Sequence, residues 1–274
     1  MKTRTFVSVA LSSLFVASAA IAAAQDAGPM SPPKVLVIDR EYLKPGKSGS
    51  QHVITESAFV KAARDAKWAT HYMAMDSMSG PNRALFIFPY ESFEAYGKDQ
   101  QLLSSGAFGA ANDAASIADG ALLSKFEAHV YLYHPEMSLH TDGDISHARY
   151  WQFQSFRVKP GHDMDWMALV KIYTDGFANI PGAHWAMYES TFAEDNGGVW
   201  VSITPMKSLA EVDQAMTDGM KFWTGLGDAK QKQVEALAAA CIESSQSNVF
   251  VVNPEESYIY PEWETGAPEI WGKH

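Results

Sequence analysis

Strand-forming residues gather over residues 35–42 and again over residues 150–158. Both runs are dense in β-branched and aromatic side chains, and each ends at a Pro-Gly pair, Pro45-Gly46 and Pro160-Gly161. That is the pattern of a strand that turns toward a helix. After the second run, Trp166, Leu169, Val170, Tyr173 and Phe177 recur at helical spacing and predict one apolar, core-facing stripe. Phe59, Ala62, Ala63 and Ala66 draw the same stripe in smaller side chains after the first. Two hairpins follow, over residues 71–75 with 84–88 and over residues 184–188 with 199–203. Their turns are built on Gly80, Pro81, Asn82 and on Asn196, Gly197, Gly198, residues that supply positive φ or a preset bend. Ser92 and Ser208 are expected to cap a further helix in each half, and strand-like runs at residues 130–133 and 249–252 close each half before Pro135-Glu136 and Pro254-Glu255.

The two halves are copies. Leu43-Lys44-Pro45-Gly46 answers Val158-Lys159-Pro160-Gly161, and Phe59-Val60-Lys61 with Asp65 answers Leu169-Val170-Lys171 with Asp175. His71-Tyr72 answers His184-Trp185, and the closing strands answer each other in the same order. Each copy reads as strand, helix, strand, strand, helix, strand, a ferredoxin-like βαββαβ unit with one sheet face left open. Two such faces in one chain are expected to close sheet against sheet, giving an α+β protein of two tandem units. The expected boundaries are a first repeat over 33–137, a linker over 138–147, a second repeat over 148–256 and a C-terminal strap over 257–274 carrying Tyr258, Tyr260, Trp263 and Trp271.

The first residues change the picture of where the chain works. Lys2 and Arg4 precede an apolar run that ends in Ala22, Ala23 and Ala24, the order of a secretory signal, so residues 1–24 are expected to be removed and the protein to be periplasmic or secreted, with no stable membrane anchor afterwards. That removal takes two positive charges and no acid, moving the formal charge from −11 to −13. Such an acidic chain repels phosphate backbones, which argues against nucleic acid as a partner. Cys241 is the single cysteine, so no internal disulfide is possible; its helical spacing with Val234, Leu237 and Ala238 reads as buried packing.

With the repeat laid out, the strand ends Glu41-Tyr42-Leu43-Lys44-Pro45-Gly46 and Phe156-Arg157-Val158-Lys159-Pro160-Gly161 carry a family resemblance. The chain resembles the dimeric α+β barrel group, especially NIPSNAP-like and antibiotic-biosynthesis-monooxygenase-like proteins, here as a tandem duplication. The resemblance implies a pseudo-dimeric α+β barrel within one chain, a monomer by default, and a ligand cleft between the sheet and helices of each unit. It also implies an activity among cofactor-independent oxygenation, haem degradation and small-molecule binding. The haem-degrading branch uses an Asn on the first strand and a Trp and a His on the second helix. Here the strand offers Asp39 or Arg40 and the stretch from Tyr96 to Ala110 has no His, so no catalytic residue is carried over.

The residues themselves nominate a site. His71 and His184 each precede an aromatic, and a neutral imidazole can act as a general base near neutral pH or orient an aromatic substrate; a structural histidine at the strand edge is the plainer alternative. Tyr42, Trp68, Tyr72 and Trp185 are expected to line the same neighbourhood and bind an apolar or aromatic small molecule. His140, Asp142, Asp144 and His147 in the linker have metal-ligating chemistry without the spacing of a metal motif, and read as a solvated turn. No cofactor is expected, and there is no phosphate loop, nucleophile elbow or His-Glu-x-x-His pattern. A structural or interaction protein, or haem or metal binding, are the rival readings.

Overall fold

The structure, a computed structural model, describes residues 31–192 and 198–272. The signal-like segment over 1–24 and Asn196-Gly197 of the second turn lie outside the described residues.

The first repeat runs β1 (Val35–Leu43), α1 (Ser50–Ala66), β2 (Met73–Ser77), β3 (Arg83–Tyr90), α2 (Phe93–Leu103), α3 (Gly106–Gly120) and β4 (Leu123–Tyr133). The second runs β5 (Tyr150–Val158), α4 (Asp163–Phe177), β6 (Ala186–Phe192), β7 (Val199–Met206), α5 (Ala210–Cys241) and β8 (Ile242–Val252). Within each repeat the strands are antiparallel, β4-β1-β3-β2 and β8-β5-β7-β6. The two sheets meet at their edges, β2 on β8 and β4 on β6, and so close an eight-stranded barrel. Closure leaves no open edge to template pairing with another chain.

Both repeats shift register at the same place, between Tyr42 and Leu43 on β1 against β4 and between Arg157 and Val158 on β5 against β8. Both helices after the Pro-Gly turns carry the same ion pair, Lys61 with Asp65 and Lys171 with Asp175. The repeat is thus visible in backbone irregularities as well as in sequence.

Strand alternation sends Leu36, Ile38, Met75, Leu85, Tyr131, Phe153, Tyr188, Val201 and Phe250 into the barrel, where they pack as one core. Val35 and Val37 face outward to Tyr90, Val130 and α2. The tail forms two short helices, α6 (Pro261–Gly266) and α7 (Pro268–Trp271), whose Trp263, Ile270 and Trp271 join the barrel core. The Trp271 indole donates to the Ser146 carbonyl at 2.7 Å, giving its one polar group a partner under burial.

After β4, a 3₁₀ turn at Pro135–Met137 crosses to the second repeat, where Leu139 bridges Trp185. After β8, the matching turn at Pro254–Glu256 crosses to the first, where Tyr258 bridges Tyr72. Ser138 Oγ accepts from the Met187 amide and Ser257 Oγ from the Ala74 amide, so the exchange is reciprocal to the level of single hydroxyls.

Two expectations need correction. β4 and β8 begin at Leu123 and Ile242, seven residues before the apolar runs, because their outer halves are mostly polar and exposed, Ser124 to Glu127 apart from Phe126, and Glu243 to Gln246. Pattern reading sees only the half that is buried. Ser92 caps α2 by accepting from the Ala95 amide at 3.1 Å, but Ser208 caps nothing. There Glu211 Oε1 takes both the Lys207 and Ser208 amides, at 2.8 and 3.2 Å. Cys241 is fully buried at the end of α5, and burial pushes its thiol pKa up.

Candidate functional site

The bridged dipeptides His71-Tyr72 and His184-Trp185 stand just before β2 and β6, so the pseudo-symmetry of the barrel carries both to one mouth. They line a cavity of about 410 Å³ with Leu36, Ile87, Trp151 and Ile203 below and Tyr260 and Trp263 of the tail at the side. The lining is mainly apolar with few polar groups, the composition of a small-molecule site.

The two histidines differ in what they have free. His71 stacks on Tyr258 and Tyr260, with ring centroids 4.6 and 4.2 Å away. Among the described residues its ring makes one hydrogen bond, Nδ1 to the Ala69 carbonyl at 3.2 Å, which puts the proton on Nδ1 and leaves Nε2 as an acceptor. Burial lowers its pKa from the ordinary 6.5, against the opposing pull of that carbonyl and Glu262. His184 has a carbonyl at each ring nitrogen, Gly182 on Nδ1 and Pro205 on Nε2, both at 2.7 Å. Both ring nitrogens thus face the protein's own carbonyls.

Trp68 and the ring of Tyr72 belong elsewhere, although Tyr72 also borders the mouth cavity. The Tyr72 ring points out of the barrel into the layer between sheet and helices, packed with Trp68, Phe86 and Tyr258. Trp68 donates to Asp99 at 2.6 Å and lies in that same layer, away from the mouth. Tyr42 is at the far end of β1 from Leu36, about 20 Å away at strand rise, where it donates to Glu127 at 3.0 Å. Strand alternation and length separate residues that sequence grouped by type. The linker residues do not converge as ligands. Asp144 Oδ1 accepts from the Ser146 amide within the turn, whereas His147 pairs with Glu269 of the tail at 2.9 Å and His140 bonds the Ala183 carbonyl before β6 at 2.9 Å.

A second cavity, about 840 Å³, opens between the first repeat's sheet and its helices. Its walls are Phe59, Trp68, Phe86, Phe88 and Phe108, and its floor holds Asp39, Glu41, Glu56 and Asp119. Asp39 faces this cleft, while its neighbour Arg40 points into the barrel and donates to the Tyr131 hydroxyl at 2.7 Å. Burial, then Glu41, push the Asp39 pKa up to about 7. At the floor His52, 1% exposed, sits inside a ring of carboxylates. Its Nδ1 is 3.0 Å from Glu256, and its Nε2 is 3.0 Å from Glu41, 3.7 Å from Asp119 and 4.0 Å from Glu56. Burial raises the pKa of Glu41, Glu56 and Glu256, and each also feels neighbouring carboxylates. Burial works to lower the His52 pKa, but hydrogen bonds to Glu256 and Glu41 outweigh it and carry it to about 11.

This cluster escaped sequence reading because its members span Glu41 to Glu256 and each passes alone for a surface residue. One signal was available. His52, Glu56, Val60 and Ala63 share the buried face of α1, so two ionisable groups sit where an apolar stripe belongs.

The fold has relatives of known structure. An anthrone oxidase-like protein superposes with a TM-score of 0.52 at 16% identity, covering 82% of this chain and 94% of its own. A candidate monooxygenase of Fusobacterium nucleatum gives 0.51 at 11% identity, covering 81% and 94%. A candidate chlorite dismutase gives 0.50 at 10% identity, covering 86% and 99%. The likeness is one of fold. It places the chain among α+β barrels, here built as two tandem ferredoxin-like units. No protein-family model and no curated protein sequence matches the chain.

Proposed function

We propose that the protein binds a small, mainly apolar molecule at the barrel mouth, and that His71 accepts a proton from it. The observation that carries this reading is the convergence of His71 and His184-Trp185, from the two repeats, on one 410 Å³ apolar cavity. Tyr260 and Trp263 offer ring faces beside them, which favours an aromatic ligand carrying an acidic hydroxyl that Nε2 of His71 can receive. His184, with both ring nitrogens tied to carbonyls, shapes the wall. The enzymatic form of this reading is cofactor-independent oxygenation beginning with that deprotonation, in keeping with the monooxygenase-like fold. Lys2, Arg4 and the apolar run after them support action outside the cytoplasm, by one chain that supplies both halves of the barrel.

Native mass spectrometry of the protein purified from its host tests the reading. A stoichiometric small-molecule adduct, absent from the cavity-filling variant Ala183→Trp, is expected. A clean mass, or an adduct that the filled variant keeps, would sink it. Because burial lowers the His71 pKa, binding of a phenol is expected to hold from pH 8 through 6.5 and to fall only at more acidic pH. The same shift has a cost to the fold. The unfolded chain takes up the proton first, so stability declines as pH falls below the ordinary 6.5 toward the lowered value. His71→Gln should remove that portion of the acid sensitivity, read as the pH dependence of the melting temperature.

A further inference from the structure

The carboxylates at the floor of the first repeat's cleft are too many for the one base they surround. Glu41, Glu56, Asp119 and Glu256 are buried with His52, and among the described residues every ion pair these four make is with that imidazole. Ionised carboxylates without a counter-charge are expensive to bury. Two of the buried oxygens, Glu56 Oε1 and Glu256 Oε2, have no hydrogen-bond partner, and neither has the Tyr72 hydroxyl. Glu56 is 3% exposed and Tyr72 5%, and both line the cleft. Glu56 stands with Glu41 and Asp119 on the Nε2 side of His52, and Glu256 on its Nδ1 side; buried polar groups left orphaned in a folded protein call for an explanation.

We propose that Nε2 of His52 with Glu41, Glu56 and Asp119 forms a binding site for a divalent transition metal of the Mn(II) or Fe(II) kind. The four donor atoms all lie within 4.8 Å of one another. With metal–ligand bonds of about 2.1 Å, donors stand roughly 3.0 Å apart at right angles and about 4.2 Å apart across the ion. The distances from Nε2, 3.0, 3.7 and 4.0 Å, fall inside that range. Glu256 then serves as the outer partner. It accepts a hydrogen bond from His52 Nδ1 at 3.0 Å, so a cation that displaces the Nε2 proton now facing Glu41 meets an oriented Nε2 lone pair. Thr55 likewise donates to Asp119 Oδ1 at 2.7 Å and holds that carboxylate in place.

The donor chemistry sets the class of ion. Three carboxylates alone suit Mg(II), Ca(II) or Mn(II), and an imidazole adds affinity for first-row transition metals, so Mn(II) and Fe(II) satisfy both. The adjoining cavity leaves the ion a face open to solvent or to a ligand. The second repeat supplies an internal control. Its residues at the matching positions are Phe156, Trp166, Ala238 and Met137, with His162 on the surface paired to Asp165, and it has nothing with which to hold a cation there. The inference does not rest on the barrel-mouth reading, because the cleft and the mouth lie on opposite faces of the wall that β1, β2 and β3 form.

The test uses the full mature chain, stripped of metal, loaded with Mn²⁺ and freed of excess by gel filtration. Elemental analysis is expected to find one manganese per chain, with a protein-bound electron paramagnetic resonance signal. The melting temperature should rise on the order of 5 °C with excess Mn²⁺. The double variant Glu56→Gln, Asp119→Asn should lose at least tenfold in Mn²⁺ affinity while melting, metal-free, no lower than the metal-free parent, which separates a lost ligand from a lost fold. Glu256→Gln should bind about 10–100-fold more weakly through the displaced imidazole. A parent chain that retains no manganese and does not shift in melting overturns the site. Undiminished binding by the double variant overturns it as well.

Discussion

Where the first repeat places Glu41, Glu56, Asp119 and Glu256 between sheet and helices, the second places Phe156, Trp166, Ala238 and Met137. The backbone around them is the same to the level of a shared register shift. In the second repeat Trp166 packs on Phe156 and Trp200, and Phe222 closes over Tyr173 and Phe177, so the layer is a filled apolar core. In the first, Ala62 and Ala63 stand where the second has Ile172 and Tyr173, and a cleft remains. A chain that carries both copies can let one hold the barrel together while the other bears buried charge and empty volume. Both are costs that a lone unit would meet from its own core.

The sharpest way to break this contrast is to move a residue across it. Trp166→Glu puts the first repeat's acid into the second repeat's core, where the matching imidazole, His162, is already paired with Asp165. It is expected to cost more than about 4 kcal/mol and to show as a collapsed urea midpoint or as insoluble protein. Next comes the close helix contact that fills the second layer. A Cβ on Gly176 would stand 2.2 Å from the Phe222 ring, so Gly176→Ala should destabilise by about 1–3 kcal/mol by equilibrium unfolding. The reverse exchange, Glu56→Leu in the first repeat, should change sign. Removing one of the crowded carboxylates from the metal-free chain is expected to raise stability by about 1 kcal/mol, and a loss of that size would show that the cluster is internally satisfied. Smallest is the cap asymmetry. Ser92→Ala should cost about 1 kcal/mol, whereas Ser208→Ala should stay within about 0.5 kcal/mol because Glu211 already holds the amides there.

Much of the architecture was legible because the information is local. Pro45-Gly46 and Pro160-Gly161 end their strands where the sequence predicts, β5 has the expected bounds, and the α4 stripe buries Trp166, Leu169 and Val170. Tyr173 of the same stripe stays 37% exposed, at the rim of the layer. The starts of β4 and β8 were hidden, since hydrogen bonding to a neighbouring strand can extend a polar segment that no periodicity marks. His71 and His184 stand at equivalent positions of the two copies, and pseudo-symmetry brings both to one mouth. Tyr42, Trp68 and the Tyr72 ring were grouped with them by residue type, and strand parity and length sent them elsewhere. The carboxylate cluster depends on crossings from β1, α1, α3 and the turn after β8, which no single window contains. Reading the two copies against each other position by position would have exposed it, as acid opposite aromatic at Glu56 and Trp166 and acid opposite methionine at Glu256 and Met137.

The reciprocal crossing after β4 and β8 also governs when this molecule can finish folding. The first repeat lacks Glu256 beside His52 and Tyr258 beside Tyr72 until β8 has been made, and the barrel lacks Trp263 and Trp271 until the tail follows. A ribosome partway along would therefore hold an apolar half-barrel with two unpaired edges, and domain-by-domain assembly during synthesis is closed to it. The chain must stay open until Trp271 is free. Its folding is consequently a late, all-at-once event whose rate is set by long-range strand pairing, and its unfinished form is the kind of client that holding chaperones protect.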